Sequence, residues 1–310
     1  MDEYKFSVII TCYNEERFIS ETIDSVLNQT RMDLINEIVV VDDGSKDNSK
    51  EKVLKKIEEN NKVKYVYQEN KGLAGARNTA IKYTTGDYVA ILDGDDLWIN
   101  NKIEILDRYV KSHPAVGLFY SNTYKYLYQK NKLVPLRVNK YYSNQANLLP
   151  TFLAKGGPIV PSSVVIKKEC FETLGLFDEN FRMAEDTDMW LRIATKYPFH
   201  HIEEYLVKKR TVENSLGSNT VENAKYYKMA FDKIEALVPE LKPYRKKRDI
   251  IVHYKVGLYY YNINKWKLAR KEAKMAILKR KTLFKAYILW TATLIKPFFK
   301  IDIIKFLKEV

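Results

Sequence analysis

"FSVIITCYNEERFISETIDSVLNQT" occupies residues 6–30 and contains the first of several repeated patterns in the chain. Its opening run, "FSVIIT" (6–11), is apolar and rich in β-branched residues, which predicts a buried strand. Apolar residues then recur at helical spacing at Ile19, Ile23, Val26 and Leu27. This spacing predicts a helix, and Asn14 is its predicted N-cap. We therefore expect a strand, a loop and a helix in that order.

The same pattern recurs three more times in the first third of the chain. Strand-like and helix-like runs alternate at 37–45 and 49–59, at 63–68 and 72–84, and at 87–96 and 101–112. Apolar strands that alternate with helices are typical of a parallel sheet covered on both sides. We predict an α/β fold with a doubly wound, mainly parallel sheet and helices on both faces. After about residue 115 the alternation loosens, although "EDTDMWLRIATKY" (185–197) still predicts a helix.

The charge of the chain is distributed unevenly. Its 310 residues carry a formal net charge of +13, yet residues 241–310 alone contain 19 Lys and Arg against 4 Asp and Glu. This asymmetry predicts two functional parts, one of which suits an anionic partner. We place a near-neutral domain at 1–215 and a basic helical extension at 216–310.

Cysteine content and hydropathy bear on the compartment. Cys12 and Cys170 are the only cysteines and lie far apart, which does not suit a disulfide scaffold or a cysteine zinc site. The N-terminus begins with acidic residues and lacks the basic region and long apolar core of a signal peptide. No stretch reaches the roughly 20 apolar residues that span a bilayer. We expect a cytoplasmic protein.

The stretch "AILDGDDLW" (90–98) places three aspartates within four residues at the end of a predicted strand. Ligands of open α/β sheets bind beyond the carboxyl ends of the strands, where "TCYNEE", "DDGS" and "KGLAGARN" also lie. A hard divalent cation, completed by the phosphates of a nucleotide diphosphate, would relieve the repulsion between these carboxylates. Each cluster alone fits ordinary turn residues equally well. The spacings do not match a phosphate-binding P-loop, a dinucleotide fingerprint or a calcium loop.

Five segments together carry a family resemblance. They are "VIITCYNEE", "VVVDDGSKDNS", "NKGLAGARNTA", "ILDGDDLW" and "EDTDMWLR". In this order and at these separations they resemble the family-2 glycosyltransferases, inverting enzymes of the GT-A fold, over residues 5–210. The resemblance implies a catalytic domain that uses Mn²⁺ or Mg²⁺ and transfers a sugar from a nucleotide diphosphate, expected to be UDP, to a glycan or lipid-linked acceptor.

The resemblance also implies roles for individual residues on the donor side. The donor-binding set is Thr11, Tyr13, Glu15, Asp42, Asp43, Arg77, Asp93 and Glu185. Its first three members match contacts to the base and ribose, and the aspartate pair lies beside the base. Arg77 matches an arginine near the sugar and diphosphate, and Asp93 a ribose or sugar contact. Asp95 matches the metal ligand, whereas Asp96 receives no role.

Asp186 matches the catalytic base of the family, and its neighbour Glu185 matches a donor or acceptor contact. The chemistry requires both functions, because displacement at an anomeric carbon must stabilise the departing diphosphate and remove a proton from the attacking hydroxyl. Burial or a neighbouring acid would raise the pKa of Asp186 and make it a better base. Taken alone, "EDTDMWLR" also fits a helix whose acidic first turn favours its own dipole.

The basic extension carries two further patterns. Residues 253–278 have the spacing of one tetratricopeptide-like helix pair or a plain helical hairpin, which would pack on the catalytic domain or form a homo-oligomer. Residues 283–310 mix Trp, Phe and Ile with lysines, as in a helix lying at an anionic membrane surface, or in a buried helix with lysines on its wet face. We expect no nucleic-acid partner, because no nucleic-acid-binding motif is present.

Two other functions stay open at this point. "ILDGDD" resembles the strand and D-x-D of haloacid-dehalogenase phosphatases, although Leu97 stands where that chemistry normally has Thr or Val and "DDGS" is left unexplained. A degenerate sugar-nucleotide domain that serves as a membrane-surface module is the other alternative. The intact set of carboxylates argues against the second.

Overall fold

The computed structural model describes residues 3–136, 148–155, 159–211 and 220–295. The chain divides into two compact units. The first comprises Met1–Leu149 and Gly157–Ser215, and the second comprises Pro150–Gly156 and Leu216–Val310. Each unit has a hydrophobic cluster of its own.

The four predicted strand and helix units build the parallel part of the sheet. The strands are β1 (Phe6–Cys12), β2 (Ile35–Asp42), β3 (Val63–Tyr67) and β4 (Tyr88–Asp93), and the helices are α1 (Ile19–Leu27), α2 (Ser49–Glu59), α3 (Gly72–Lys82) and α4 (Lys102–Ser112). All pairings among these strands are parallel, in the order β3–β2–β1–β4. The sheet therefore grows in both directions from β1, as a doubly wound sheet does.

The second half of the sheet is mixed. Its elements are β5 (Leu97–Trp98), β6 (Leu118–Leu127), β7 (Lys132–Leu136), β8 (Val165–Lys167) and β9 (Phe199–Arg210), with α6 (Lys168–Leu174) and α7 (Glu185–Ala194), whereas most of α5 (Leu148–Lys155) belongs to the second unit. The order continues β4–β8–β6–β9–β5, and β7 pairs with β6. β8 runs antiparallel to β4 and β6, whereas β6 and β9 are parallel. The purely parallel part of the sheet thus ends where the sequence alternation loosens.

Alternate residues of β1 pack on opposite sides of the sheet. Phe6, Val8, Ile10 and Cys12 join a buried cluster with apolar residues of α1, α2 and α4. α3 contacts β1 and β2, and its buried residues stand outside that cluster. Because successive side chains of a strand point to opposite faces, helices cover both sides of the sheet. The predicted α/β fold is confirmed.

The predicted N-cap of α1 is wrong. The helix begins at Ile19 without a side-chain cap, and Asn14 has a left-handed backbone with φ of 56°. The side-chain oxygen of Asn14 instead accepts a hydrogen bond from the Lys46 N–H at 2.9 Å. The backbone N–H of Asn14 donates to Ser45 Oγ at 2.9 Å. Asn14 therefore joins the loop after β1 to the loop after β2, a tertiary contact that helix periodicity does not reveal.

The second unit contains four long helices within its described residues. They are α8 (Thr220–Leu237), α9 (Lys242–Asn262), α10 (Trp266–Lys279) and α11 (Phe284–Ile295). α9, α10 and α11 share a core of Tyr261, Ala269, Ala273, Leu289 and Ala292. A Cβ at Gly257 would lie 2.9 Å from Leu289 Cδ2, so small residues permit the close approach of these helices.

Part of the predicted tail lies beyond these helices. Residues 296–310 of the predicted surface helix lie outside the described residues, so only its first part, α11, is seen. Among the described helices, none has the length and apolar character needed to cross a bilayer.

Lys102, the first residue of α4, is a fully buried amine in the first unit. Its Nζ donates a hydrogen bond to the Ser163 carbonyl at 3.0 Å and lies 5.0 Å from the centroid of the Trp98 ring. Burial lowers the pKa of Lys102 from its usual value of 10.5 to about 7. The charged form therefore costs stability, because it is separated from water without a carboxylate partner among these contacts.

Lys102→Met is expected to raise the free energy of unfolding at neutral pH by roughly 1–3 kcal/mol, because the apolar stem stays and the buried amine is removed. In the wild type the unfolded chain binds more protons at this residue than the folded one between pH 7 and 10.5, so this contribution to stability rises with pH. The variant should lose that rise. Urea denaturation across this pH range measures both effects.

Lys111→Met on the same helix is the matched control, because its amine is exposed and pairs with Asp107. We expect little change from this substitution. A Lys102→Met protein that is less stable than the wild type would show that the Ser163 and Trp98 contacts outweigh the burial of the amine.

Candidate active site

The carboxyl ends of β1 and β4 lie side by side at the point where the sheet order reverses. Gly94, just after β4, donates its N–H to the Thr11 carbonyl at 2.9 Å. A Cβ at this position would lie 2.7 Å from that carbonyl oxygen and 3.2 Å from Glu15 Cγ. Only glycine permits this approach, which places the loop that carries Asp93 and Asp95 against Glu15.

Three acidic side chains repel one another at this edge of the sheet. Burial, followed by the nearby charges of Asp95, Asp47 and Asp93, raises the pKa of Glu15 to about 8. Burial and Asp93 raise the pKa of Asp95 to about 6. Without a compensating cation, this cluster is therefore an unfavourable arrangement that favours the binding of positive charge.

Asp96 has a different environment from Asp93 and Asp95. It is fully buried and accepts hydrogen bonds from Ser162 Oγ at 2.6 Å and from the Arg210 N–H at 2.9 Å. Ser162 Oγ in turn accepts the Asp93 N–H at 3.1 Å. The third aspartate of the stretch therefore joins β4, β9 and the segment before β8, and does not face the acidic cluster as a free ligand.

Asp42 and Asp43, the predicted pair beside the base, both accept hydrogen bonds from other parts of the protein. Asp42 accepts from the Tyr65 hydroxyl and the Ser45 N–H, each at 2.8 Å. Asp43 accepts the backbone N–H groups of Lys71 and Gly72, each at 2.8 Å, at the start of α3. A carboxylate oxygen accepts more than one hydrogen bond, so a further contact to a nucleotide base is compatible with these partners.

Thr11 and Tyr13, two residues of the first-strand motif, differ in their exposure to solvent. Thr11 is buried at the end of β1, whereas the Tyr13 side chain is exposed. Tyr67, at the end of β3, is also exposed. Exposed aromatic rings at strand ends offer flat apolar surfaces, which suit stacking against a base.

Arg77 connects the two halves of the site. Its guanidinium, almost completely buried, donates from Nη2 to Asp93 Oδ1 at 2.9 Å and from Nη1 to Glu185 Oε1 at 2.6 Å. The ring centroid of Phe177 lies 5.5 Å from Cζ. The arginine predicted near the diphosphate therefore bridges the acidic loop after β4 and the first residue of α7.

The start of α7 presents the predicted base. Ala184, just before the helix, has a left-handed backbone with φ of 59°. Asp186 accepts the Thr187 N–H at 2.5 Å, and burial raises its pKa although Arg77 lowers it. Burial likewise raises the pKa of Glu185 to about 7 against the opposing effect of Arg77. Asp188 instead pairs with Arg192 at 2.9 Å on the same helix and is structural.

Lys209 and Arg210, at the end of β9, were not among the predicted site residues. Loss of solvent acts to lower the pKa of Lys209, but the carboxylates of Asp96, Asp93, Asp95 and Asp186 outweigh it and raise the pKa. The Lys209 side chain still reaches solvent. Arg210 is buried and donates to the Asp95 carbonyl at 2.8 Å.

No sequence signal distinguishes these two residues from the many other basic side chains of the chain. Their position at the carboxyl end of a strand would have been informative, but the β9 register against β6 contains irregularities that alternation does not predict.

A divalent cation fits this donor set as a partial site. Carboxylate oxygens are the ligands that Mg²⁺ and Mn²⁺ prefer, and Asp95 is the best placed because Asp93 is paired with Arg77. Within the ranges that the structure covers, no three His, Cys, Asp or Glu side chains are arranged to hold a metal by themselves. The remaining ligands would have to be water and phosphate oxygens, as is usual for Mg²⁺.

The different surroundings of Asp95 and Asp96 predict opposite effects on stability. Asp96→Ala removes two buried hydrogen bonds and should lower the free energy of unfolding by roughly 2–4 kcal/mol. Asp95→Ala removes a repelled carboxylate and keeps the backbone contact with Arg210, so stability should be unchanged or higher. Urea denaturation in metal-free buffer measures both values. Equal losses in the two variants would contradict this division of roles.

The model of the glycosyl transferase family 2 matches residues 7–172, more than half of the chain. The UDP-Glc:alpha-D-GlcNAc-diphosphoundecaprenol beta-1,3-glucosyltransferase WfgD of Escherichia coli is 33% identical over 230 residues, which cover 73% of this chain and 84% of WfgD. An uncharacterized glycosyltransferase of Rickettsia bellii is 31% identical over 206 residues, 66% of this chain, but the match spans only 29% of that protein.

Two solved structures have the same fold. S. aureus TarS 1-349 in complex with UDP-GlcNAc gives a TM-score of 0.67 at 16% identity, covering 94% of this chain and 91% of the other. The mannosyltransferase PcManGT from Pyrobaculum calidifontis, in complex with GDP-Man and Mn²⁺, gives a TM-score of 0.61 at 21% identity. The match covers 96% of this chain and 82% of PcManGT. The motif series, the sheet order and these matches agree: the chain is a member of glycosyl transferase family 2.

Proposed function

We propose that this glycosyltransferase transfers a sugar from a UDP-linked donor to a hydroxyl of a glycan or lipid-linked acceptor, with inversion, by direct displacement. The observation that carries the proposal is the pair of ion contacts made by Arg77, which joins Asp93 to Glu185. A donor-side carboxylate and the carboxylate next to the predicted base thus belong to one site.

The choice of donor and acceptor rests on the relatives. WfgD is named for UDP-Glc and for an acceptor linked to diphosphoundecaprenol, and TarS was solved with UDP-GlcNAc. PcManGT was solved with GDP-Man, so the fold alone does not select the base. We favour UDP because WfgD, whose name states its donor, matches this chain over most of both lengths.

The leaving group requires neutralisation of the charge that develops on the diphosphate. A divalent cation held by Asp95 would supply that neutralisation as a Lewis acid. Lys209, which carries its charge beside the same carboxylates and reaches solvent, is suited to pair with a phosphate oxygen. Asp93 would contact the ribose or the donor sugar.

Asp186 would act as the base on the opposite face of the sugar. The acceptor oxygen forms a bond to the anomeric carbon as the bond from that carbon to the diphosphate oxygen breaks, and the acceptor proton passes to Asp186. The raised pKa of Asp186 brings its basicity closer to neutral pH, where general bases act best. Glu185, held by Arg77, keeps the helix start in place.

Asp186→Asn is expected to lower kcat by about 10²–10⁴-fold, because general-base assistance is lost while the donor surface is kept. Donor binding, measured by calorimetry with UDP-sugar, should survive. A radiolabelled transfer assay with membrane lipid extract or oligosaccharide acceptors measures turnover, and nuclear magnetic resonance of the product reports the anomeric configuration.

Asp188→Asn is the control on the same helix, because Asp188 forms an ion pair with Arg192. It should lose stability and keep turnover per folded molecule. Wild-type turnover in Asp186→Asn would remove that residue from the mechanism, and a product with retained configuration would exclude direct displacement.

The donor side predicts a specific pattern of thermal shifts with UDP. Mn²⁺ should increase the stabilisation of the wild type by UDP, because ligand binding to the folded state raises its stability. Asp95→Asn should lose this increase and keep the stabilisation by UDP that does not require Mn²⁺. Lys209→Gln should bind UDP more weakly, by roughly tenfold, with or without the cation.

Lys208→Gln is the matched control for Lys209, because neighbouring residues of β9 point to opposite faces of the sheet. It should bind UDP as the wild type does. Equal weakening in both variants would assign the effect to general charge and not to the Lys209 position.

A further inference from the structure

Helix α11 has two apolar faces, and only one of them is covered. Its buried face consists of Ala286, Leu289, Ala292 and Thr293. The opposite face, at the spacing of successive helical turns, consists of the exposed apolar residues Phe284, Tyr287, Ile288 and Leu294 around one exposed polar residue, Thr291. A helix that is apolar all round is normally buried all round. We therefore expect an apolar partner to cover the outward face of α11.

A basic tip adjoins this face at the start of α11. We define the tip by Leu278, Arg280, Lys281, Phe284 and Lys285, which lie within eight consecutive residues. All five are exposed, with Phe284 at 78% and Leu278 at 63%, the two most exposed large apolar side chains of the described part of the chain. Residues 273–295 contain no Asp or Glu. The tip thus presents apolar groups together with positive charge that has no acidic neighbour within residues 273–295 of the sequence.

We propose that the tip and the outward face of α11 dock on an anionic lipid bilayer. Exposed Phe and Leu enter the boundary between headgroups and acyl chains, and the neighbouring Arg and Lys side chains pair with anionic headgroups. The proposal concerns the second unit alone and is independent of the reaction assigned to the first. It is consistent with a lipid-linked acceptor, which would be presented at such a surface.

The charge of the tip favours a bilayer over a second copy of the chain. A two-fold symmetric pairing through this patch would bring Arg280, Lys281 and Lys285 near their own copies. Like charges brought together in this way oppose association. A lipid surface supplies the opposite charge and the apolar phase at once.

The test is co-sedimentation of the full chain with vesicles. We expect binding to vesicles of equal parts phosphatidylglycerol and phosphatidylcholine, weak binding to pure phosphatidylcholine, and weakening by salt. Arg280→Gln/Lys281→Gln/Lys285→Gln should weaken binding on the order of a hundredfold, because each basic residue near an anionic surface contributes about fivefold. Leu278→Ser/Phe284→Ser should weaken binding roughly tenfold or more.

Matched controls come from α2 in the first unit. Lys50→Gln/Lys52→Gln/Lys55→Gln removes the same number of exposed charges, and Leu54→Ser removes an exposed leucine (39% exposed). Both should bind vesicles as the wild type does. Equal loss in the control and tip charge variants would overturn the proposal, since binding would then follow net charge.

A further variant measures insertion of the tip into the bilayer without weakening binding. The indole introduced by Phe284→Trp should shift its fluorescence to the blue on vesicle addition, beyond the shift of the wild type. An absent shift in a bound protein would overturn the proposal. Failure to bind anionic vesicles, with concentration-dependent self-association in their place, would assign the face to a second copy. Binding to RNA that excludes vesicles would assign it to nucleic acid.

Discussion

The buried guanidinium of Arg77 is the constraint on which the first unit depends. It lies between Asp93, at the end of β4, and Glu185, which is at the start of α7, 108 residues after Arg77. Removing one partner of a buried ion pair typically costs about 3–5 kcal/mol, because the remaining charge is left uncompensated. All three groups must therefore be in place together, and the requirement ties the parallel half of the sheet to the mixed half.

The ion contacts of Arg77 do not neutralise the whole site. Glu15, Asp95 and Asp186 still have raised pKa values, because burial outweighs what Arg77, Arg210 and Lys209 supply, and nearby carboxylates add to the effect at Glu15 and Asp95. Such an excess of negative charge lowers the stability of the ligand-free protein. Sites of this kind are retained because a ligand or cation recovers the lost stability on binding. The repulsion within the aspartate stretch is thus what we expect of the proposed donor and cation site.

The fold was predictable as far as local periodicity reached. The four strand and helix units, and the placement of polar clusters beyond their strands, follow from alternation and from general rules of open α/β sheets. The antiparallel pairing of β8 was not predictable, because β8 has only three residues and no turn signal identifies its neighbours. Asn14 was assigned to the wrong role for a related reason, since its partners Ser45 and Lys46 are on another loop.

The roles of individual site residues were only partly predictable. Asp95 and Asp96 are the same residue type at adjacent positions, and only the tertiary partners Ser162 and Arg210 distinguish the buried structural Asp96 from Asp95, a member of the acidic cluster. Lys209 was missed because a lysine in a basic chain has no distinguishing pattern, and its significance comes from the carboxylates around it.

The glycine between the two aspartates shows why the D-x-D spacing is tied to the backbone and not to the carboxylates alone. Gly94 contacts the carbonyl of Thr11 so closely that any side chain would collide with backbone, which cannot rotate away as a flexible side chain could. The same contact sets the distance between Glu15 and the acidic loop. The middle residue of the motif therefore positions the flanking carboxylates through β1, and the pairing of β1 with β4 establishes the geometry of the site before any ligand binds.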